Sequence, residues 1–197
     1  MWRGKMDWGT EFERLGVRRV KKDGDFIFYS GRHSNVKYDF DYLYKHTDLY
    51  SRACHDLLKK ACLNIDPKKT CFVGPAYGGI SLAFELARQC GARAAYARKI
   101  TFGFDIDECF KPEPGDVIIL CDDVITAGTS LAKVRSAIER HGIKVIFHEK
   151  VLVFVNRSGC NSFCLWPHAR PPGFLHQRSI VALVETNEPG LEPVKSA

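Results

Sequence analysis

The sequence contains no uninterrupted apolar stretch of the length that a transmembrane helix needs. Its first ten residues, MWRGKMDWGT, are polar and interrupted by glycine, so they do not match the apolar centre of a secretory leader. There is no internal repeat, and a net charge of +6 is too small by itself to indicate a nucleic-acid-binding protein. These absences favour a soluble, cytoplasmic protein without a membrane or nucleic-acid partner.

Cysteine is not scarce, but a disulfide framework is not expected. Eight cysteines in a cytoplasmic chain are more often reduced thiols. One Pro-rich stretch contains a set of residues that could hold zinc, namely Cys160, Cys164, His168 and His176. Their spacing, C-x3-C-x3-H-x7-H, matches no common zinc finger, so a metal-free segment covering a site is the alternative.

Composition and periodicity predict an α/β protein. With 197 residues, 45% of them hydrophobic and 26% charged, the chain can bury a substantial core. Helical patterns alternate with apolar runs typical of strands. Helices are predicted over residues 48–62, with Thr47 as N-cap, 80–90 and 131–141, and strands over residues 71–73, 92–97, 117–121, 145–155 and 180–184. This alternation predicts a mainly parallel sheet with helices on both faces.

The most informative segment is VIILCDDVITAGTS, residues 117–130. Its apolar run predicts a buried strand that stops at Asp122 and Asp123, because charge is costly inside a core. A loop of small and hydroxyl residues then opens a helix, and Gly128 allows the backbone to approach a ligand closely. Free amides at a helix N-terminus favour an anion, so the loop is a candidate phosphate site.

The two aspartates narrow the kind of ligand. Carboxylates beside a phosphate site suit the hydroxyls of a sugar, or the water shell of Mg²⁺. A sugar phosphate satisfies both parts of the segment. A plain strand, turn and capped helix with exposed acids is the alternative, but it does not explain two acids and three hydroxyls together.

Four blocks of the sequence resemble type I phosphoribosyltransferases, and most closely the orotate phosphoribosyltransferases. They are GDFIFYSGRHS (residues 24–34), VGPAYGGISLA (73–83), ARK (97–99) and the segment at 117–130. FVNRSG (154–159) is similar to the strand end where that family places an arginine near the base. The resemblance implies a single phosphoribosyltransferase domain, residues 1–197, with a core at about 46–159 and a hood from about 1–45 and 160–197.

The resemblance also implies the reaction and the residues that carry it. A ring nitrogen of a base displaces pyrophosphate from phosphoribosyl diphosphate (PRPP), in pyrimidine nucleotide synthesis if the base is orotate. Mg²⁺ would be held through water by the aspartates, and the family is usually a homodimer. The implied PRPP contacts are Asp122, Asp123, Thr126, Ala127, Gly128, Thr129, Ser130, Tyr77, Gly78, Gly79, Arg98 and Lys99. The implied base contacts are Tyr29, Lys37, Tyr38 and Arg157.

Several cations typical of the orotate enzymes are missing. Phe102 and Phe104 stand where the family's mobile loop carries a lysine and a histidine, and Lys111 is the closest basic substitute. Lysines of the family correspond to Tyr29 and Gly78 here. An exposed stretch at 102–104 is expected to pack against a partner chain or the hood.

These departures leave three hypotheses open. In the first, the chain transfers ribose 5-phosphate to orotate, with Lys37 and Arg157 pairing the carboxylate of orotate and Lys111 acting as catalytic cation with Asp122, Asp123, Arg98 and Lys99. In the second, it uses another base, with Tyr29 and Tyr38 stacking on it. In the third, it binds PRPP as a sensor without fast turnover.

Overall fold

The computed structural model describes residues 4–27, 33–101, 103–159, 162–164 and 177–186. Its helices are α1 (Trp8–Arg14), α2 (Asp41–Tyr44), α3 (Thr47–Ala61), α4 (Gly78–Cys90) and α5 (Thr129–Arg140), with 3-10 turns at Pro67–Lys69 and Glu108–Phe110. Its strands are β1 (Arg18–Val20), β2 (Phe26–Ile27), β3 (His33–Ser34), β4 (Val36–Tyr38), β5 (Thr70–Pro75), β6 (Arg93–Ile100), β7 (Gly103–Asp105), β8 (Val117–Ile125), β9 (Ile146–Phe147), β10 (Lys150–Asn156), β11 (Ser162–Cys164) and β12 (Gln177–Glu185).

The central sheet is mainly parallel. Its strands follow the order β11-β12-β10-β8-β5-β6-β7, and the short β9 pairs beside β8. The five strands from β12 to β6 run parallel to one another, whereas β11 and β7 are antiparallel at the two edges. The predicted α/β fold with a mostly parallel sheet is therefore confirmed.

Each face of the sheet has its own hydrophobic core, because successive side chains of a strand point to opposite faces. In β10, Leu152 and Phe154 belong to the core formed with α1, α3 and α4. Val151 and Val153 belong to the core formed with α5 and β7. Helices consequently cover both faces, as a parallel sheet requires.

The predicted elements are present with shifted boundaries. Residue Thr47 is the first residue of α3 and not its cap, since His46 occupies the N-cap position and makes no side-chain cap hydrogen bond. Gly91 adopts a left-handed conformation (φ 68°) directly after α4, as its position predicted. The single strand predicted over residues 145–155 is divided into β9 and β10, because the ring of His148 accepts a hydrogen bond from the Lys150 amide (2.9 Å) between them.

The strand of the phosphate segment does not stop at the two aspartates, as the sequence had predicted. It continues to Ile125, with Asp122 opposite Val153 and Ile125 opposite Asn156 of β10. Backbone pairing with β10 explains the extension, since a ladder satisfies the amides and carbonyls whatever the side chains carry. Both carboxylates are thus held by a regular strand.

The N-terminal segment is anchored to the sheet by aromatic rings. Phe40 packs on both Phe12 of α1 and Phe154 of β10, with ring centroids 5.2 Å apart in each pair. The β1–β4 ladder pairs Arg19 with Lys37, and a hydrogen bond from Arg157 to the Val36 carbonyl holds β4 beside the residue that follows β10. Among the helices of the described residues, none has the length and hydropathy needed to cross a membrane.

Candidate active site

A cleft of about 790 Å³ lies at the carboxyl ends of the central strands. Its lining comes from the end of β8 and the following loop, from the β6–β7 hairpin, and from β4 and the residue after β10. Ligands of open parallel sheets bind at these strand ends, so the cleft is where the fold predicts a site. The lining residues that the sequence predicted are Lys37, Tyr38, Lys99, Asp122, Asp123, Thr126, Ala127, Gly128, Thr129, Ser130 and Arg157.

The loop of residues 126–130, called here the phosphate loop, has the geometry of an anion site. Gly128 is left-handed (φ 69°), a conformation that costs other residues free energy, and it directly precedes α5. The described residues provide no side-chain cap for this helix N-terminus. Thr129 and Ser130 are exposed and line the cleft, and the first amides of a helix have no partner within the helix itself.

The two aspartates beside the phosphate loop are crowded and desolvated. The Asp123 amide donates to Asp122 Oδ1 (3.0 Å), and the Val124 amide donates to Asp123 Oδ1 (2.7 Å). Burial raises the pKa of Asp122 well above its usual value, and the charge of Asp123 raises it further. Burial also raises the pKa of Asp123. A bound hydroxyl or cation would therefore relieve an unfavourable local charge.

The turn between β5 and α4 lies directly against Asp123. A Cβ atom on Gly78 would overlap the Asp123 carboxylate, so the absence of a side chain makes room for it. The Tyr44 hydroxyl donates to the Gly78 carbonyl (3.3 Å), which ties α2 to this turn. Of this turn only Ala76 is among the residues that line the cleft, whereas the predicted contacts Tyr77, Gly78 and Gly79 are not, and Gly78 reaches the site only through Asp123.

The opposite side of the cleft is cationic and aromatic. Arg157 donates to Ser34 Oγ (3.0 Å) and to the Val36 carbonyl (3.2 Å), and its guanidinium lies 5.7 Å from the ring centroid of Tyr38. Lys37 Nζ donates to Asp39 (3.1 Å). Three of the four predicted base contacts therefore converge here, while Tyr29 lies outside the described residues.

Of the three cations predicted to face pyrophosphate, only Lys99 lines the cleft. Arg98 forms an ion pair with Asp107 (2.9 Å), and Lys111 forms one with Glu108. Both residues lie outside the cleft lining. The catalytic role that the sequence suggested for Lys111 therefore has no geometric support among the lining residues.

The segment after the Arg-Lys pair is packed against α5. Phe104 is 8% exposed and belongs to the core formed with α5. The expectation that it would be exposed and pack against a partner chain or the hood is therefore wrong. Phe102 lies outside the described residues. Arg140 donates to the Phe104 carbonyl (2.6 Å), and the His141 ring lies 2.9 Å from Asp105. The hydrogen bond with His141 lowers the pKa of Asp105.

Sequence reasoning missed several residues that line the cleft, namely Ile100, Thr101, Gly103, Phe104 and Lys133. The hairpin residues could not be found, because their position depends on pairing between β6 and β7. Lys133 did leave a signal. It follows Thr129 by four residues, the spacing that places two side chains on one helix face.

The described part of the structure does not test the candidate zinc site. Cys160, His168 and His176 lie outside the described residues, and only the backbone of Cys164 is described, in β11. Within the described ranges, no group of three or more His, Cys, Asp or Glu residues could hold a metal ion. The zinc hypothesis remains a prediction.

Comparisons with known proteins agree with this geometry. A model of the phosphoribosyl transferase domain family matches residues 44–159. The chain is 32% identical over 142 residues to the orotate phosphoribosyltransferase of Sulfurovum sp. (strain NBC37-1), covering 67% of this chain and 68% of that protein. It is 29% identical over 137 residues to the orotate phosphoribosyltransferase of Bartonella quintana (strain Toulouse), covering 70% and 69%.

Solved structures show the same fold. The crystal structure of orotate phosphoribosyltransferase from Aeropyrum pernix superposes with a TM-score of 0.64 at 25% identity, covering 89% of this chain and 92% of that one. An adenine phosphoribosyltransferase from Saccharomyces cerevisiae superposes with a TM-score of 0.55 at 17% identity, covering 75% and 89%. The fold is therefore shared by proteins named for different bases.

Proposed function

Because the chain belongs to the phosphoribosyl transferase domain family and is similar to orotate phosphoribosyltransferases, we propose that it transfers ribose 5-phosphate from PRPP to orotate, giving orotidine 5′-phosphate and pyrophosphate. One observation carries the proposal. A single cleft contains an uncapped phosphate loop, the buried Asp122 with the partly buried Asp123 and, on its other side, Lys37 and Arg157. The first two features suit the donor, and the third suits an anionic acceptor.

The donor side is argued from charge and hydrogen-bonding capacity. The phosphate loop offers amides and hydroxyls but no carboxylate, so it suits the 5′-phosphate. When ionised, Asp122 and Asp123 can only accept hydrogen bonds, and the ribose hydroxyls can donate them. Binding the sugar would fix its C1 atom relative to the acceptor, and orientation of this kind accounts for a large share of such catalysis.

The acceptor side is argued from the planar guanidinium of Arg157. Ser34 and the Val36 carbonyl hold this group beside Tyr38, so it is preorganised in the cleft. A guanidinium recognises a carboxylate by paired hydrogen bonds, and Lys37 adds a second positive charge nearby. Orotate carries a carboxylate on a flat ring, which also suits the Tyr38 ring.

The aspartates also fit the Mg²⁺ that the family implies. Carboxylate oxygens are ligands that Mg²⁺ prefers, directly or through water. Burial raises the pKa of both Asp122 and Asp123, so a nearby cation would favour their ionised forms. When bound, Mg²⁺ would neutralise charge on the pyrophosphate. Lys99, which lines the cleft, would stabilise the same group as its charge increases.

A second candidate function is a PRPP-binding regulatory protein with weak turnover. The observation that favours it is the pairing of two basic side chains away from the cleft, Arg98 with Asp107 and Lys111 with Glu108. Fewer cations would then face the leaving pyrophosphate. Such a protein would still bind PRPP through the phosphate loop and the aspartates.

A base panel separates these functions. The protein is mixed with Mg²⁺, PRPP and orotate, uracil, adenine or hypoxanthine, and pyrophosphate release is followed. We expect release with orotate and little with uracil, which matches the orotate ring but lacks its carboxylate.

Each other outcome has a distinct meaning. Release only with another base would contradict the orotate assignment while retaining the family reaction. Tight PRPP binding by calorimetry with no release for any base would favour the regulatory protein. Absence of PRPP binding would contradict both functions.

A further inference from the structure

Lys133 is a cleft residue to which neither the sequence resemblance nor the proposed reaction assigns a role. It belongs to α5 and lines the cleft together with the phosphate loop. The inference below rests on the proposed function, because it concerns how the same cleft holds PRPP.

The helix geometry places Lys133 over the phosphate loop. Thr129, Ser130 and Lys133 are exposed, whereas Leu131 and Val134 are buried at 1% and 0% exposure. Residues three and four apart share a helix face, so Lys133 lies on the face of both hydroxyl residues. Helical side chains lean toward the N-terminus of their helix, which directs the lysine stem back toward residues 126–130.

The charge environment of Lys133 differs from that of other basic residues in the cleft. Lys37 is bound to Asp39, and Arg157 is bound to Ser34 and Val36. Across the part of the chain that the structure describes, no carboxylate lies within ion-pair distance of Lys133. Its ammonium group is therefore available to an anion at the phosphate loop.

We propose that Lys133 binds the 5′-phosphate of PRPP, covering the phosphate from the solvent side while the amides and hydroxyls of the phosphate loop hold it from below. The phosphate loop itself contributes no formal positive charge, since residues 126–130 contain no basic side chain. A dianionic phosphate group at this loop gains a charge-assisted hydrogen bond from the lysine. Lys133 thus acts as a binding residue for the phosphate and not for the leaving pyrophosphate.

The test uses ligands that carry only one of the two anionic ends of PRPP. Binding of ribose 5-phosphate, of pyrophosphate with Mg²⁺, and of PRPP with Mg²⁺ is measured by calorimetry for the wild type, Lys133→Gln and Lys133→Arg. We expect Lys133→Gln to weaken ribose 5-phosphate and PRPP by the same factor, about 5- to 20-fold, because one partly exposed charge-assisted bond is lost. Pyrophosphate binding should not change, and Lys133→Arg should retain most of the affinity.

A matched control removes a lysine of equal charge elsewhere. Lys144→Gln changes an exposed residue beyond the end of α5 and should leave all three affinities unchanged, which separates local contact from net charge. Loss of pyrophosphate binding in Lys133→Gln, or equal loss in Lys144→Gln, would overturn the assignment.

The inference and the proposed function fail in different ways. If the wild type binds PRPP and Lys133→Gln binds ribose 5-phosphate as tightly as the wild type, only the role of Lys133 is overturned. If the wild type binds neither PRPP nor ribose 5-phosphate, the proposed function fails together with this role.

Discussion

The phosphate loop and the β6–β7 hairpin line the same cleft, yet their polar groups are used differently. The phosphate loop leaves Thr129 and Ser130 exposed, and among the described residues no side chain caps the first amides of α5. The hairpin is bound to the other end of α5, where Arg140 holds the Phe104 carbonyl and His141 contacts Asp105. One helix therefore presents its open N-terminus to a ligand and uses its C-terminal residues to fasten a wall of the cleft.

This difference suggests that the phosphate loop binds a ligand and that the β6–β7 hairpin shapes the cleft. Groups without protein partners are the ones that can exchange water for a ligand, whereas groups with partners define the shape of the site. Changes to the aspartates and the phosphate loop should therefore affect ligand affinity most. Changes to the hairpin should affect local stability more than affinity.

The largest expected effect is on the aspartates. In the double variant Asp122→Asn with Asp123→Asn, PRPP affinity measured by calorimetry should fall about 100- to 1,000-fold, because two charge-assisted contacts to the sugar are lost. The fold should be retained, since asparagine is nearly isosteric, and circular dichroism checks this. Affinity equal to that of the wild type would refute the assignment of these residues to the ribose.

The next largest effect is expected at Gly78. In Gly78→Ala the new Cβ would overlap the Asp123 carboxylate and displace it from the cleft. We expect PRPP affinity to fall about 10- to 100-fold, because a binding group that is displaced by about 1 Å loses affinity of this size. Gly9→Ala is the matched control, since a Cβ there would lie 3.4 Å from the nearest atom, Asp7 Oδ1. Equal affinities for the two variants would show that the turn does not position Asp123.

A smaller effect concerns stability and pH. Burial raises the pKa of Asp122 above its ordinary value of 3.8, so ionising this carboxyl costs more free energy in the folded state than in the unfolded chain. Wild-type stability should therefore decrease, relative to Asp122→Asn, as pH rises above that value. At pH 7 the variant should be more stable by about 1 to 3 kcal/mol in urea unfolding.

The control for this effect is Asp23→Asn, which changes an exposed aspartate. It should follow the wild type across the whole pH range. If Asp122→Asn were less stable than the wild type at pH 7, the carboxylate would have to be stabilised by contacts that outweigh its burial.

The smallest effect is expected in the hairpin. Arg140→Ala removes the donor to the Phe104 carbonyl. Amide hydrogen exchange in β7 should become about 5-fold faster, because one hydrogen bond contributes roughly 1 kcal/mol. PRPP affinity should change less than in the aspartate variants. The control is Arg14→Ala, which breaks an exposed ion pair on α1 and should leave hydrogen exchange in β7 unchanged. If Arg140→Ala lowered PRPP affinity by a larger factor than it accelerated exchange in β7, the hairpin would have to be a binding element and not a supporting one.

The phosphate loop and the two aspartates could be predicted from sequence because they are contiguous in the chain. Residues 117–130 contain a strand, two aspartates, a glycine and the beginning of a helix. Because these parts follow one another directly, each determines the position of the next. The end of the strand was predicted wrongly, since the partner strand that carries β8 to Ile125 is not visible in the segment itself. The cationic side of the cleft was predicted only through the family resemblance, since Lys37 and Arg157 are far apart in the chain.

The sequence by itself determined the alternation of strands and helices and the phosphate loop, because both follow from local periodicity and from the few residues that suit a left-handed turn. The tertiary structure decided which cations reach the cleft. Lys133 and Lys99 line it, while Arg98 and Lys111 are paired with carboxylates outside it. Local patterns cannot reveal this, because the position of a long charged side chain depends on partners that only the folded chain brings within a few ångströms.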